Sequence, residues 1–129
     1  MNYSTAALIY RGDSFLLVKR KPGGALSELW ELPGGKVENG ESPRDALVRE
    51  LREEFEVEST IGRELGRTRF LHRGNEFELI AFEVSVETEA IRLVEHTNMV
   101  WMTQNEALKL ALAPSDRALL ERLEDANNR

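Results

Sequence analysis

The chain has 129 residues, enough for one hydrophobic core and too few for two ordinary domains. Its 41% apolar and 31% charged residues mark a globular chain, and its apolar runs (Ala6 to Tyr10, Phe15 to Val18, Leu79 to Phe82) fall far short of the ~20 residues a membrane span needs. With 17 Lys and Arg against 23 Asp and Glu, a net charge of −6 argues against long nucleic acid as a partner, and zero cysteines exclude disulfides, thiolate metal sites and a cysteine nucleophile.

Two apolar, strand-like runs open the chain, Thr5 to Tyr10 and Phe15 to Arg20, with Arg11-Gly12-Asp13 as the hairpin turn between them. Lys21 to Leu29 reads as a loop. Trp30 to Leu32 is short and extended, and Pro33-Gly34-Gly35 breaks it. A helix is expected from Ser42 to Phe55, with Ser42 as N-cap, Pro43 at the first helical position and Asp45 placed as in a capping box with a shorter acid. Longer strands follow at Arg63 to His72 and Phe77 to Val86, joined by Arg73-Gly74-Asn75-Glu76. Met99 to Met102 is a short strand. Gln104 to Leu112 and Ser115 to Asn127 read as helices separated by Pro114. Strands and helices interleave without a regular βαβ repeat, so one α+β domain over residues 1–129 with a mixed sheet is expected. The N-terminus has no basic segment leading into an apolar stretch, and a cytoplasmic location is the default expectation.

The stretch Gly34 to Val57 carries the most chemistry. On a helix at ~100° per residue, Leu47, Leu51 and Phe55 form one apolar stripe, while Glu50, Glu53 and Glu54 crowd within an arc of ~100° on another face. Three like charges at this spacing repel by a few tenths of a kcal/mol per pair. Two readings follow: a solvated acidic face neutralised by Arg49 and Arg52, or a site for a hard divalent cation that takes oxygen ligands.

The same stretch resembles the Nudix box. That pattern is Gly, five residues, Glu, seven residues, Arg-Glu, an aliphatic, any residue, Glu-Glu, any residue, Gly and an aliphatic. Here Gly35 leads to Glu41, then to Arg49-Glu50, Leu51, Arg52, Glu53-Glu54, Phe55, Glu56 and Val57. Glu56 stands where the family has Gly, just past the helix end, where a left-handed backbone is common and a non-Gly residue costs roughly 1 kcal/mol. The resemblance implies a Nudix fold, a mixed sheet between helices in an α/β/α sandwich. It also implies that Glu50, Glu53, Glu54 and the Gly35 carbonyl bind Mg²⁺, with Mn²⁺ as a substitute. Arg49 would hold the glutamates in place, and Glu41 would support from behind. Glu50, Glu53 or Glu95 would take the proton from the attacking water.

Outside the box the likeness is fainter. Glu95 precedes Trp101 much as a metal or base carboxylate precedes a Trp strand in MutT-type enzymes; a solvated loop acid is the alternative. Asp116, two residues after Pro114, sits where such enzymes contact the nucleobase, and is equally readable as an acid in a first helical turn. Arg20 is the expected phosphate-binding cation, with Lys19 and Lys21 alternating to the other face. His72 and His96 read as surface residues, Trp30 and Trp101 as packing residues. Arg63, Arg67, Arg69 and Arg73 read as a solvated strand face rather than a phosphate cleft. The implied activity is Mg²⁺-dependent hydrolysis of a nucleoside triphosphate to the monophosphate and pyrophosphate, as in nucleotide-pool cleaning. A small-molecule nucleotide is the implied partner of a monomer or homodimer. ADP-ribose, nucleotide-sugar or dinucleoside polyphosphate hydrolysis is an alternative, although Leu71, His72 and Arg73 stand where those branches often carry Pro or Tyr. A non-catalytic nucleotide sensor is a third reading, opposed by the intact glutamates.

Overall fold

The computed structural model describes residues 1–24 and 28–127. The centre of the expected Lys21–Leu29 loop therefore lies outside the described residues. The first hairpin pairs β1 (Asn2–Arg11) with β2 (Ser14–Arg20) across Gly12-Asp13, where Gly12 takes φ +62. The second pairs β5 (Ser59–His72) with β6 (Asn75–Val86). Arg73 and Gly74, both at positive φ, form its two-residue loop, and their backbone twist matches that of the strands. Strand β1 runs parallel to β6 from Asn2 opposite Phe77 to Ile9 opposite Val84.

Three short strands complete one sheet: β3 (Trp30–Glu31), β4 (Gly34–Lys36) and β7 (His96–Met102). The order is β3-β2-β1-β6-β5, with β4 also on β1 and β7 also on β2. Alternation along the central strands sorts the core into two layers. Ala7, Ile9, Leu16, Val18, Ile80 and Phe82 meet Leu47, Leu51 and Phe55 of helix α1 (Pro43–Phe55) on one face. Ala6, Leu8, Phe15, Leu17, Leu79 and Ala81 meet Leu119, Leu120 and Leu123 of helix α3 (Pro114–Asn127) on the other. The result is the α/β/α sandwich. Each fully buried Leu or Phe of α1 contributes ~1.5–3 kcal/mol.

Helix α1 begins where the capping signals lie. The Ser42 hydroxyl accepts the Asp45 N–H at 3.1 Å, which is half of a capping box. It ends on Glu56 at φ 53, ψ 38, the left-handed conformation expected there, with the Glu56 N–H donating to the Arg52 carbonyl at 3.0 Å.

Strands β1 and β5 begin earlier than expected and the glycine turn forms the strand β4, and two further departures bear on the site. Helix α2 spans only Gln104–Ala107, capped by Thr103 and Glu106. The chain beyond it straightens because Trp30 N–H donates to the Ala111 carbonyl and Ala113 N–H to the Trp30 carbonyl, both at 2.8 Å. The Arg117 guanidinium takes the freed carbonyls of Leu108 and Leu110. Strand β7 starts at His96, three residues before the expected Met99, with His96 opposite Arg20. That extension carries His96 out of solvent, so the surface reading of His96 is corrected.

Candidate active site

The Gly-rich turn and helix α1 meet through steric need. Gly34 has φ +144, and a Cβ there would strike the Thr5 carbonyl, because β4 lies against β1. Gly35 has an ordinary φ, yet a Cβ would run into the Glu50 carboxylate. The second glycine is therefore needed for space, so that a carboxylate can lie on the loop. The Thr5 hydroxyl donates to the Gly35 carbonyl at 3.0 Å.

Arg49 organises the acids. Its Nε and Nη2 grip the two Glu41 oxygens at 2.7 and 3.0 Å, and Nη2 also donates to the Lys36 carbonyl at 3.0 Å. Its Nη1 donates to Glu50 at 3.1 Å and Glu53 at 3.2 Å. Arg49 thus ties loop to helix through charge-assisted bonds and holds Glu41 below the ordinary carboxylate range.

Glu54 is 5% exposed, and among the described residues no N–H or hydroxyl reaches its Oε2. Burial raises its pKa, and the charges of Glu50, Glu31 and Glu95 add to the rise. Burial also raises the Glu50 pKa, with Arg49 opposing. Buried carboxylates facing one another either share a proton or neutralise a cation. Gly35, Glu50 and Glu54 bring hard oxygens to one place, a donor type that suits Mg²⁺, and Glu53 is held on the same helix by Arg49.

A cleft of about 580 Å³ opens beside this cluster. Gly35, Glu50, Glu54, Glu95, Arg20 and Asp116 all line it, whereas Arg49 and Glu53 do not. The Glu53 side chain is 55% exposed and anchored by Arg49. Asp116, in the first turn of α3, is buried, and its Oδ2 accepts the Leu32 N–H at 3.0 Å. Burial pushes its carboxyl up to about 7, with the Leu32 bond opposing. Phe70 and Phe77, stacked at 5.3 Å, form an apolar part of the wall. Of the four arginines on the second hairpin, Arg73 alone lines the cleft. Arg63 pairs with Glu83, Arg67 with Glu64 and Glu78, and Arg69 with Glu76 and Glu78.

Sequence reasoning missed three residues. Glu31 accepts from Arg20 Nε at 2.6 Å through one oxygen, and its other oxygen lies 2.9 Å from His96 Nε2. His96 is buried, stacks flat on Phe55 at 5.5 Å and lies 3.8 Å from Glu54 Oε1. Lys21 joins Arg20 on a second cavity of about 250 Å³ that shares Arg20, Glu31, Glu54 and Glu95 with the main cleft. The alternation that set Lys21 aside ends with β2 at Arg20, so it does not govern Lys21. The signal for Glu31 was present in the sequence: it is an acid between the core-facing Trp30 and Leu32, on the opposite face of a two-residue strand beside the glycine turn.

A family model described as the NUDIX domain matches residues 2–123. The CTP pyrophosphohydrolase of Escherichia coli is 41% identical over 116 residues, covering 90% of this chain and 86% of that protein. A putative 8-oxo-dGTP diphosphatase 2 of Mycobacterium tuberculosis is 35% identical, covering 87% of this chain and 80% of that one. The crystal structure of the MutT protein from Methanosarcina mazei superposes with a TM-score of 0.86 at 28% identity, over 99% of this chain and 96% of that one.

Proposed function

The chain belongs to the Nudix hydrolase family, and from that footing we propose that it cleaves a nucleoside triphosphate to the monophosphate and pyrophosphate with Mg²⁺ as the cation. The observation that carries the reading is one cleft shared by the buried Glu54 carboxyl, the half-buried Glu50 beside it and the buried Asp116 carboxyl. A shared cleft supports one ligand meeting both a cation held by the glutamates and the Asp116 carboxyl. The names of the E. coli and M. tuberculosis relatives, a CTP pyrophosphohydrolase and a putative 8-oxo-dGTP diphosphatase, support the substrate class.

In this reading Glu50, Glu53, Glu54 and the Gly35 carbonyl hold Mg²⁺, which when bound acidifies a water and neutralises phosphate charge. Arg49 fixes the glutamates so that they need no rearrangement when substrate arrives. Arg20 reaches the phosphates with its terminal nitrogens, because Glu31 occupies its Nε. The proton of the attacking water passes to a carboxylate. Glu50 and Glu95 line the cleft, which favours them over Glu53 for this task. Asp116 keeps one oxygen for the base, the other being held by Leu32. As an acid or as a carboxylate it can meet the amino group of cytosine or guanine. A site built on such a bond rejects a base lacking it by ~1–3 kcal/mol.

The test is a substrate panel with Mg²⁺, comprising CTP, dCTP, oxidised dGTP, ADP-ribose and diadenosine polyphosphates, run on the wild type and Asp116→Ala. The expected result is highest kcat/KM on a triphosphate and a changed ranking of bases in the variant. A best substrate among the dinucleotides refutes the triphosphate reading. A uniform loss across bases refutes the role of Asp116.

A further inference from the structure

Beside Glu54 lie two side chains, Glu31 and His96, that hold no cation in the proposed reaction. His96 Nε2, Glu31 Oε2 and Glu54 Oε1 converge, with Nε2 at 2.9 Å from the first oxygen and 3.8 Å from the second. The three donor atoms lie within 4.8 Å of one another. Bond lengths of ~2.0–2.2 Å from a tetrahedral cation to N and O ligands set its donors roughly 3.3 Å apart. The two observed separations bracket that value, so small side-chain shifts suffice to enclose an ion.

The surroundings also suit one. Glu54 and His96 are 5% and 6% exposed, and Glu54 Oε2 has no donor among the described residues. Phe55 holds the imidazole plane. Arg20 holds the other Glu31 oxygen and so orients Oε2 toward the histidine. The cavity of about 250 Å³ alongside has room for the water that completes the shell. One imidazole with two carboxylates selects a borderline cation over a hard one.

We propose that Glu31, Glu54 and His96 form a binding site for a borderline divalent cation such as Zn²⁺, distinct from the all-oxygen Mg²⁺ site and joined to it through Glu54. The ion takes the place of the Nε2 proton, which moves to Nδ1. Nδ1 has no partner among the described residues, and an unpaired N–H there, with Arg20 nearby, weakens binding. Occupancy draws Glu54 toward His96 and competes with Mg²⁺. The site itself rests on the geometry of three side chains; the competition also rests on Glu54 serving the Mg²⁺ centre.

The test is a Zn²⁺ titration of substrate-free protein in excess Mg²⁺ against a chromophoric chelator. Wild type, His96→Gln, Glu31→Gln and a His72→Gln control are compared, with circular dichroism to check folding. X-ray absorption of the zinc-loaded wild type reports its ligands. We expect one ion per chain with a nitrogen ligand, at least tenfold weaker binding in His96→Gln and Glu31→Gln, and no change in His72→Gln. Equal affinity in wild type and both variants, or an all-oxygen zinc shell, overturns the site. Should a variant not fold, the ligand identity in the wild type decides. Turnover by wild type should fall as Zn²⁺ fills the site. Tight, nitrogen-ligated zinc without inhibition leaves this site standing and counts instead against Glu54 as an Mg²⁺ ligand.

Discussion

Two adjacent glycines serve different ends, and single alanine substitutions should separate them. Gly34 combines φ +144 with the Thr5 carbonyl where a Cβ would stand, so Gly34→Ala should cost more than ~2 kcal/mol in chemical denaturation. Gly35 faces the movable end of Glu50, so Gly35→Ala should push that carboxylate aside, lower kcat at least ~10-fold and leave the melting temperature nearly unchanged. A stable, fully active Gly35→Ala variant contradicts the role given to Glu50. Asp116 makes a further prediction at this scale. Its carboxyl is raised to about 7, chiefly by burial, against an unfolded value of ~3.9. Between those values the folded state holds a proton that the unfolded state has lost, so stability falls as pH rises through the window and levels off above it. Asp116→Asn removes this contribution and still accepts the Leu32 N–H. The variant should gain on the wild type by on the order of 1–3 kcal/mol from pH ~4 to ~7, read from denaturation midpoints. A stability difference that stays constant across that range contradicts the prediction.

Helix α1 was legible in the sequence because its signals are local. Ser42, Pro43, the stripe of Leu47, Leu51 and Phe55, and the left-handed exit at Glu56 all act within a few residues of one another. Glu56 makes that exit testable. Its φ of 53 strains a side-chain-bearing residue, so Glu56→Gly should raise stability by up to ~1 kcal/mol and leave turnover intact. A thermal melt showing a clear loss contradicts this account of the helix end. Helix α2 was misjudged for the opposite reason. Its apolar pattern from Ala107 to Leu112 is helix-like, but Trp30 and Arg117 claim the backbone from outside. His96 was misjudged in the same way: its burial comes from pairing with β2 and from Phe55, neither of which is near it in sequence.

Across the whole molecule, β1 is the organiser. It pairs with β2, β4 and β6, so the glycine turn, the second hairpin and the first meet around one strand. The cleft forms where α1, the turn before α3 and that second hairpin converge on it, which is why residues as distant as Arg20, Glu50, Glu95 and Asp116 line one space. Spacing within the box made the glutamates readable as a group, whereas the Arg20–Glu31–His96 link needed the folded sheet to appear. A chain of net charge −6 with buried carboxylates in its cleft is poorly disposed to bind an anion unless a cation neutralises them. Cation-dependent cleavage at Glu54 is therefore the central claim. The most direct test follows the products of CTP or oxidised dGTP by ³¹P NMR with Mg²⁺, with excess chelator, and with Glu54→Gln or Glu53→Gln in place of the wild type. The account predicts monophosphate and pyrophosphate from the wild type, no turnover in chelator, and a kcat at least ~10²-fold lower in folded Glu54→Gln and Glu53→Gln. Orthophosphate and diphosphate as products, turnover that survives the chelator, or wild-type rates in both variants would contradict it.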